Sequence, residues 1–293
     1  MNSKSYYTSV FAPQNSDILQ LENEVNYELE KVYLWLASNK LTLNVDKSKF
    51  MLVSNKKKSH QLNIKINGEI LDECDSYKYL GIYVDKNLSW KCHIEYISKK
   101  ISKACGALAK IRHCVDINTL TNVYYALVHS YLRYGIIAWG SASSSVLKPL
   151  QTMVNRVIRI MFFAPFGRVD LKPLYNCLEI LNLSEIYSLE TGKFIYKSKT
   201  GLLPISNIAN HFERRVGAQH QHNLRSHRSY PLPEILHHGA GAGKSIQIKG
   251  TELWDKIPHD IRNAESLSKF KNHYKSFLLS DTTEELFLSF LNL

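Results

Sequence analysis

Paired cysteines are missing from this chain. Its five, Cys74, Cys92, Cys105, Cys114 and Cys177, are odd in number, scattered, and nowhere spaced Cys-x-x-Cys. That argues against a disulfide framework or a structural zinc and for a reducing compartment. Long apolar runs are missing too. None approaches the length of a membrane span, and the N-terminus MNSKSYYTSV has no apolar signal core. The expectation is an intracellular protein, nuclear or cytoplasmic, with no membrane partner. There is no internal repeat. Negative charge is in short supply: 26 Asp and Glu face 37 Lys and Arg, a formal net charge of +11. A field of that sign favours polyanions, nucleic acid among them, without choosing one. Apolar residues at 44% and charged ones at 22% are ordinary for a chain with a real core, so long-range disorder is not expected. The 293 residues allow one large domain or two or three small ones.

The patterning then divides the chain. Ile18, Leu21, Val25, Leu29, Val32 and Leu36 recur at helical steps, which predicts a helix over 16–38. Ser16 is the expected cap, and Asp17 suits the positive end of the dipole. SKFMLVS (48–54) reads as a strand ended by Lys56, Lys57 and Lys58. QLNIKINGEIL alternates Leu62, Ile64 and Ile66 and turns at Asn67-Gly68, a strong hairpin signal. YKYLGIYVD reads as a further strand, buried and carrying a glycine, Gly81, in its interior. The first ninety residues are thus expected to be one helix on a small antiparallel sheet.

After Trp90 the period lengthens. Ile94, Ile97, Ile101, Ala104, Leu108 and Ile111 form one helical stripe, with Lys99, Lys100, Lys103 and Lys110 around it. Leu120, Val123, Tyr124, Leu127, Val128 and Tyr131 form a second. Leu147, Leu150, Val154, Val157 and Met161 form a third, with Arg156 and Arg159 off it. Three helices with short links predict a bundle of roughly seventy residues. Two more helices are expected within 171–198, a long loop over 211–245, and a last helix over 266–279.

Several motifs read better as ordinary structure than as chemistry. HGAGAGKS (238–245) has His238 where a phosphate-binding loop needs glycine, and no apolar strand precedes it, so a flexible loop is the better reading. His211, His220, His222, His227, His237 and His238 lack the Cys or carboxylate partners of a metal site. Asp72, Glu73, Asp75 and Asp85 cluster near the sheet, but the first three follow a hairpin strand, where alternation sends neighbours to opposite faces, so a turn or solvated strand end outweighs a two-metal centre. The helix over 91–113 stands out. Its charge is almost all positive, with Glu95 the exception, and tyrosines and a glycine-bearing strand feed it. Lysines in that arrangement release counterions from phosphates without reading sequence, and a strand glycine lets another backbone approach closely.

These residues resemble a known family. WLASNKLTLNVDKSKFML followed by YKYLGIYVDKNLSWKCHI is similar to the end of the reverse transcriptase of jockey-like non-LTR retrotransposons. The likeness continues through YLRYGIIAWG, LQTMVNRVIRI, HNLRS, GTELWDKIP and SLSKFKNHYKSFL, so it covers nearly the whole chain. It implies an α+β fold: a small antiparallel sheet with one helix, a palm remnant, then a mostly helical thumb and C-terminal region. The implied divisions are 1–90, 91–165 and 166–293. Lys47 matches a lysine near the incoming nucleotide. Tyr79, Leu80 and Gly81 match the primer-grip turn, and Lys99, Lys100, Lys103 and Lys110 would face a template–primer duplex, an RNA or RNA–DNA helix.

The departure from the family is as informative. Two aspartates that hold magnesium in the family should precede the first helix. If Thr8 keeps its family place, Tyr6 and Tyr7 stand there instead. Tyrosine is protonated and uncharged at neutral pH and cannot replace a carboxylate on magnesium. The fingers and earlier palm, with a further aspartate, would lie before Met1. The chain therefore reads as a truncated reverse transcriptase, inactive as a polymerase by itself, with no cofactor of its own and weak, sequence-independent duplex binding. A helical protein-interaction scaffold, kept soluble by its charge, is the alternative.

Overall fold

The computed structural model describes residues 17–53, 62–165, 170–203 and 246–280. Ser16, the 56–58 lysines, Tyr6, Tyr7, HNLRS, the histidine-rich 211–238 stretch and HGAGAGKS lie outside them. The fold is α+β with helices dominant, and it divides into two compact units, Met1–Leu88 and Ser89–Leu293.

The first unit begins with α1 (Ile18–Ser38). Asp17 is its cap, through a 2.9 Å bond from the Leu19 N–H to Asp17 Oδ1. A carboxylate there both satisfies an orphan donor and meets the positive helix end. Instead of one antiparallel sheet, three two-stranded ladders follow among the described residues. β1 (Lys49–Phe50) pairs in parallel with β4 (Asp72–Glu73), in register Lys49 with Asp72. The strand expected over 48–54 contributes only these two residues to a ladder. β2 (Lys65–Ile66) and β3 (Glu69–Ile70) form the Asn67-Gly68 hairpin, with φ of 51° and 79° at the turn. Positive φ at both positions is the twist-compatible turn that Asn-Gly favours.

Alternation works as expected around β2. Leu62, Ile64 and Ile66 are buried, Asn63 and Lys65 exposed. With Leu71 they make a small core, against which Val25, Leu29 and Tyr33 of α1 pack. The helix also satisfies the open edge of this segment. Asn26 donates to the Asn63 carbonyl (3.1 Å) and accepts from the Lys65 N–H (2.7 Å), while Glu22 accepts from the Asn63 N–H (3.1 Å). Polar side chains on α1 thus do what a neighbouring strand would do for an exposed edge.

The second unit is helical: α2 (Lys91–Ile111), α3 (Ile117–Tyr124), a π-turn (Tyr125–His129) running into α4 (Ser130–Arg133), α5 (Ile136–Trp139), α6 (Ser144–Met161), α7 (Lys172–Cys177), α8 (Leu183–Lys199), α9 (Ile246–Lys256), α10 (His259–Arg262) and α11 (Leu267–Leu279). One apolar core runs from Ile94 to Leu278 through all the longer helices. Trp139, Tyr124, Tyr187 and Phe270 are its largest fully buried side chains. The stripes read from sequence are the buried faces of α2 and α6. Asn182 and Glu185 cap α8 reciprocally: Asn182 accepts from the Glu185 N–H (3.0 Å), and Glu185 accepts from the Asn182 N–H (2.8 Å). The periodicity did not announce α5, α9 or α10.

Candidate nucleic-acid interface

The expected site residues fall in both units. Lys47 ends a single 3-10 turn, Val45–Lys47, whose start Asn44 caps by accepting from the Lys47 N–H (3.0 Å); the Lys47 side chain is exposed. Tyr79, Leu80 and Gly81 form the tip of a hairpin between β5 (Ser76–Tyr79) and β6 (Ile82–Asp85). Gly81 is therefore not inside a buried strand. Leu80 and Gly81, with φ of 45° and 87°, are the two central residues of the turn. The glycine is needed because the backbone turns left-handed there. The strands beside it are exposed or half-buried up to Asp85, and Leu80 stands 68% exposed at the tip.

The four lysines lie on α2. Its core face is Ile94, Ile97, Ile101, Ala104, Cys105 and Leu108, joined by His93. At about 100° per residue, Lys99, Lys103 and Lys110 cluster within about 40° on the opposite face. All three are exposed. Lys100 sits toward the core instead, half-buried, with Nζ 5.6 Å from the Tyr96 ring centroid. Between Lys103 and Lys110 the surface is low. Gly106 and Ala107 are exposed, and a Cβ built at Gly106 meets nothing within 4 Å.

Arg156 lies off the third apolar stripe. It is exposed on α6, close enough to Cys105 of α2 to oppose the upward push of burial on that thiol. Arg112, just past α2, is structural: its Nη1 donates to the Ile160 carbonyl (3.3 Å), and its guanidinium lies 4.4 Å from the Phe163 ring centroid. Its position next to the basic helix gave no hint of that. Residues 89–165 hold ten Lys and Arg against two acids, so the positive field of the second unit concentrates in this stretch.

Asp72, Glu73 and Asp75 behave as solvated strand ends, while Asp85 does not. Asp72 and Asp75 are exposed and meet Lys49 (3.6 Å) and Lys86 (2.6 Å). Asp85 is buried and accepts from the Asn87 N–H at 3.2 Å. Among the described residues no group of three or more His, Cys, Asp or Glu is placed to hold a metal ion, so no step through magnesium is derived. No described helix is long and apolar enough to cross a membrane.

Lys99, Lys103 and Lys110 thus give α2 an exposed face of a single charge sign, opposite its buried stripe. The relatives are specific. The chain is distantly homologous to the RNA-directed DNA polymerases of non-LTR retrotransposons. It is 21% identical over 225 residues to the RNA-directed DNA polymerase from mobile element jockey of Drosophila melanogaster, covering 72% of this chain and 24% of that protein. It is 28% identical over 134 residues to the probable RNA-directed DNA polymerase from transposon BS of the same species, 45% of this chain and 15% of that one. The jockey polymerase of Drosophila funebris is 27% identical over 107 residues, 35% and 12%. The chain thus spans a quarter or less of the length of these relatives. No protein-family model matches it, and no solved structure does.

Proposed function

We propose that this chain grips a nucleic-acid duplex, RNA or RNA–DNA hybrid, through its phosphates and without regard to sequence, with α2 serving as the helix of a reverse-transcriptase-like thumb. The observation that carries the reading is the single exposed face holding Lys99, Lys103 and Lys110 opposite the buried stripe. Lysine suits the task because it neutralises phosphate as a point charge and demands no base geometry. Lys100 contributes less, since it lies beside Tyr96. The turn Tyr79-Leu80-Gly81 and Lys47 are assigned to primer end and nucleotide on the strength of the resemblance alone. Polymerase chemistry is not part of the proposal: the resemblance, with Thr8 in its family place, sets Tyr6 and Tyr7 where metal-holding carboxylates would serve phosphoryl transfer.

The test is fluorescence anisotropy of a labelled RNA–DNA hybrid across salt. Three phosphate contacts give a log–log salt slope near −2.7, an affinity loss of about 40-fold between 50 and 200 mM salt. Replacing Lys99, Lys103 and Lys110 with Gln should remove most of that slope, while Lys100→Gln should change it by less than one lysine's share. A hybrid that fails to bind the folded protein, or a slope untouched in the triple variant, would overturn the proposal. The first of these results would favour the interaction-scaffold alternative.

A further inference from the structure

The helical unit carries a second cluster of cations, built differently from the α2 face. It centres on Glu190 of α8. Arg133 Nε, from α4, and Lys193 Nζ both bond Glu190 Oε1 at 2.8 Å, and Lys193 also reaches Oε2 at 2.9 Å. The pair is largely withdrawn from water, with Glu190 at 16% and Lys193 at 11% side-chain exposure. From α11, Lys275 meets Glu179 at 3.3 Å, and the charge of Lys271 is felt at Lys193. Among the described residues, four cations therefore converge beside two carboxylates, Glu190 and Glu179. One of those, Glu179, is 76% exposed, so its ion pair is weak and easily exchanged.

Below the cluster lies the π-turn Tyr125–His129. A π-turn inserts one extra residue into a helix, and such bulges concentrate at functional sites. Here it delivers His129 into a half-buried place beside Tyr124 and Tyr125, with ring centroids 6.3 and 5.0 Å away, and sets Arg133 one turn further on. Burial first, then Arg133, Lys275 and Lys193, hold the His129 ring down to about 4, with Glu190 opposing. The imidazole is therefore neutral at pH 7 and adds no charge to the four cations.

We propose that Arg133, Lys193, Lys271 and Lys275 form a binding site for a phosphate group on the α4–α8–α11 surface. The excess of two positive charges matches a phosphate dianion. More than half of the Arg133 side chain is exposed, and Lys271 is exposed, so the anion can approach without unfolding anything. Lys193 and Glu190 are the fixed floor: the carboxylate holds the arginine and the buried lysine in place so that their charges are pre-positioned. A bound phosphate displaces the Glu179 carboxylate from Lys275 and takes its bond. The phosphate comes either from a free inorganic di- or polyphosphate or from the backbone of a nucleic-acid strand.

Calorimetric titration of the full chain with inorganic pyrophosphate, at fixed ionic strength and pH 7.5, tests this. Saturable one-site binding is expected, weakened at least tenfold in Lys271→Gln/Lys275→Gln and unchanged in Lys99→Gln/Lys103→Gln. Both pairs alter the charge by the same amount on helix surfaces, and circular dichroism checks that each variant folds. Absence of saturable binding to the wild type, or equal weakening in the two pairs, would overturn the site. Given binding, a labelled RNA–DNA hybrid separates the sources. Displacement of the hybrid by pyrophosphate, lost in Lys271→Gln/Lys275→Gln, assigns the site to backbone phosphate. Pyrophosphate binding that leaves the hybrid in place assigns it to a free phosphate.

Discussion

Replacing His93 with Phe should change how the stability of the protein depends on pH. His93 sits on the core face of α2, only 2% exposed, its ring 5.6 Å from that of Trp139 and 6.4 Å from that of Tyr96. Burial depresses its pKa from 6.5 to about 4. A base with a depressed folded pKa takes up its proton more readily in the unfolded chain, so stability falls as pH drops from 6.5 toward 4. Between pH 7 and pH 5 that linkage is worth about 2 kcal/mol for this one ring. Phenylalanine keeps the ring and its edge contact with Trp139 but cannot titrate. Urea unfolding followed by circular dichroism at pH 7 and pH 5 should therefore show the difference between His93→Phe and wild type shifting in favour of the variant by about 2 kcal/mol. A pH-independent difference would refute the claim that the ring is buried and neutral. The comparison with wild type is essential because Glu185 pulls the other way. Burial raises its carboxyl from 4.5 to about 7. The folded form then binds the extra proton, and this contribution is present at low pH and lost as pH rises through 7. His129 acts in the same sense as His93, so raw wild-type curves sum opposing terms.

Two further outcomes rest on packing. Gly106→Ala should raise stability by about 0.5–1 kcal/mol in urea unfolding, because the glycine is in the interior of α2 and a Cβ there meets open space. Loss of stability would mean that the helix surface at 106 is covered by something. Leu150→Ala, at a fully buried position of α6, should cost about 2–5 kcal/mol and lower the thermal midpoint, the usual penalty of a core cavity. A change under 1 kcal/mol would show that the α2–α6 core is loosely packed.

Much of this architecture follows from local rules visible in the residue order. The steps from Ile94 to Leu108 put apolar atoms on one side of a 3.6-residue helix, and this alone sends Lys99, Lys103 and Lys110 to the other side. Asn67-Gly68 dictates its hairpin because few other residue pairs accept two left-handed positions. Ser266, which caps α11 by accepting from the Lys269 N–H, likewise marks a boundary before any packing is considered. Gly81 shows where local reading slips. A glycine between two runs of strand formers fits either a strand interior or a two-residue turn. Ladder pairing, Tyr79 opposite Ile82, selects the turn.

Residue order therefore marks α1, α2, α6 and α11, the Asn67-Gly68 hairpin and the charged side of α2, since those depend on neighbours within a turn or two. Tertiary packing decides everything that depends on a distant partner. It makes Arg112 a strut against Ile160 and Phe163 while Arg156 stays exposed on α6 near Cys105. It assigns Asn26 to the edge of a strand 37 residues away. It also draws Arg133 and Lys193, from two separate helices, onto one carboxylate, Glu190, and Lys275 of a third onto Glu179. Charge interactions and buried hydrogen bonds act across space, and no spacing along the chain encodes which cations will meet.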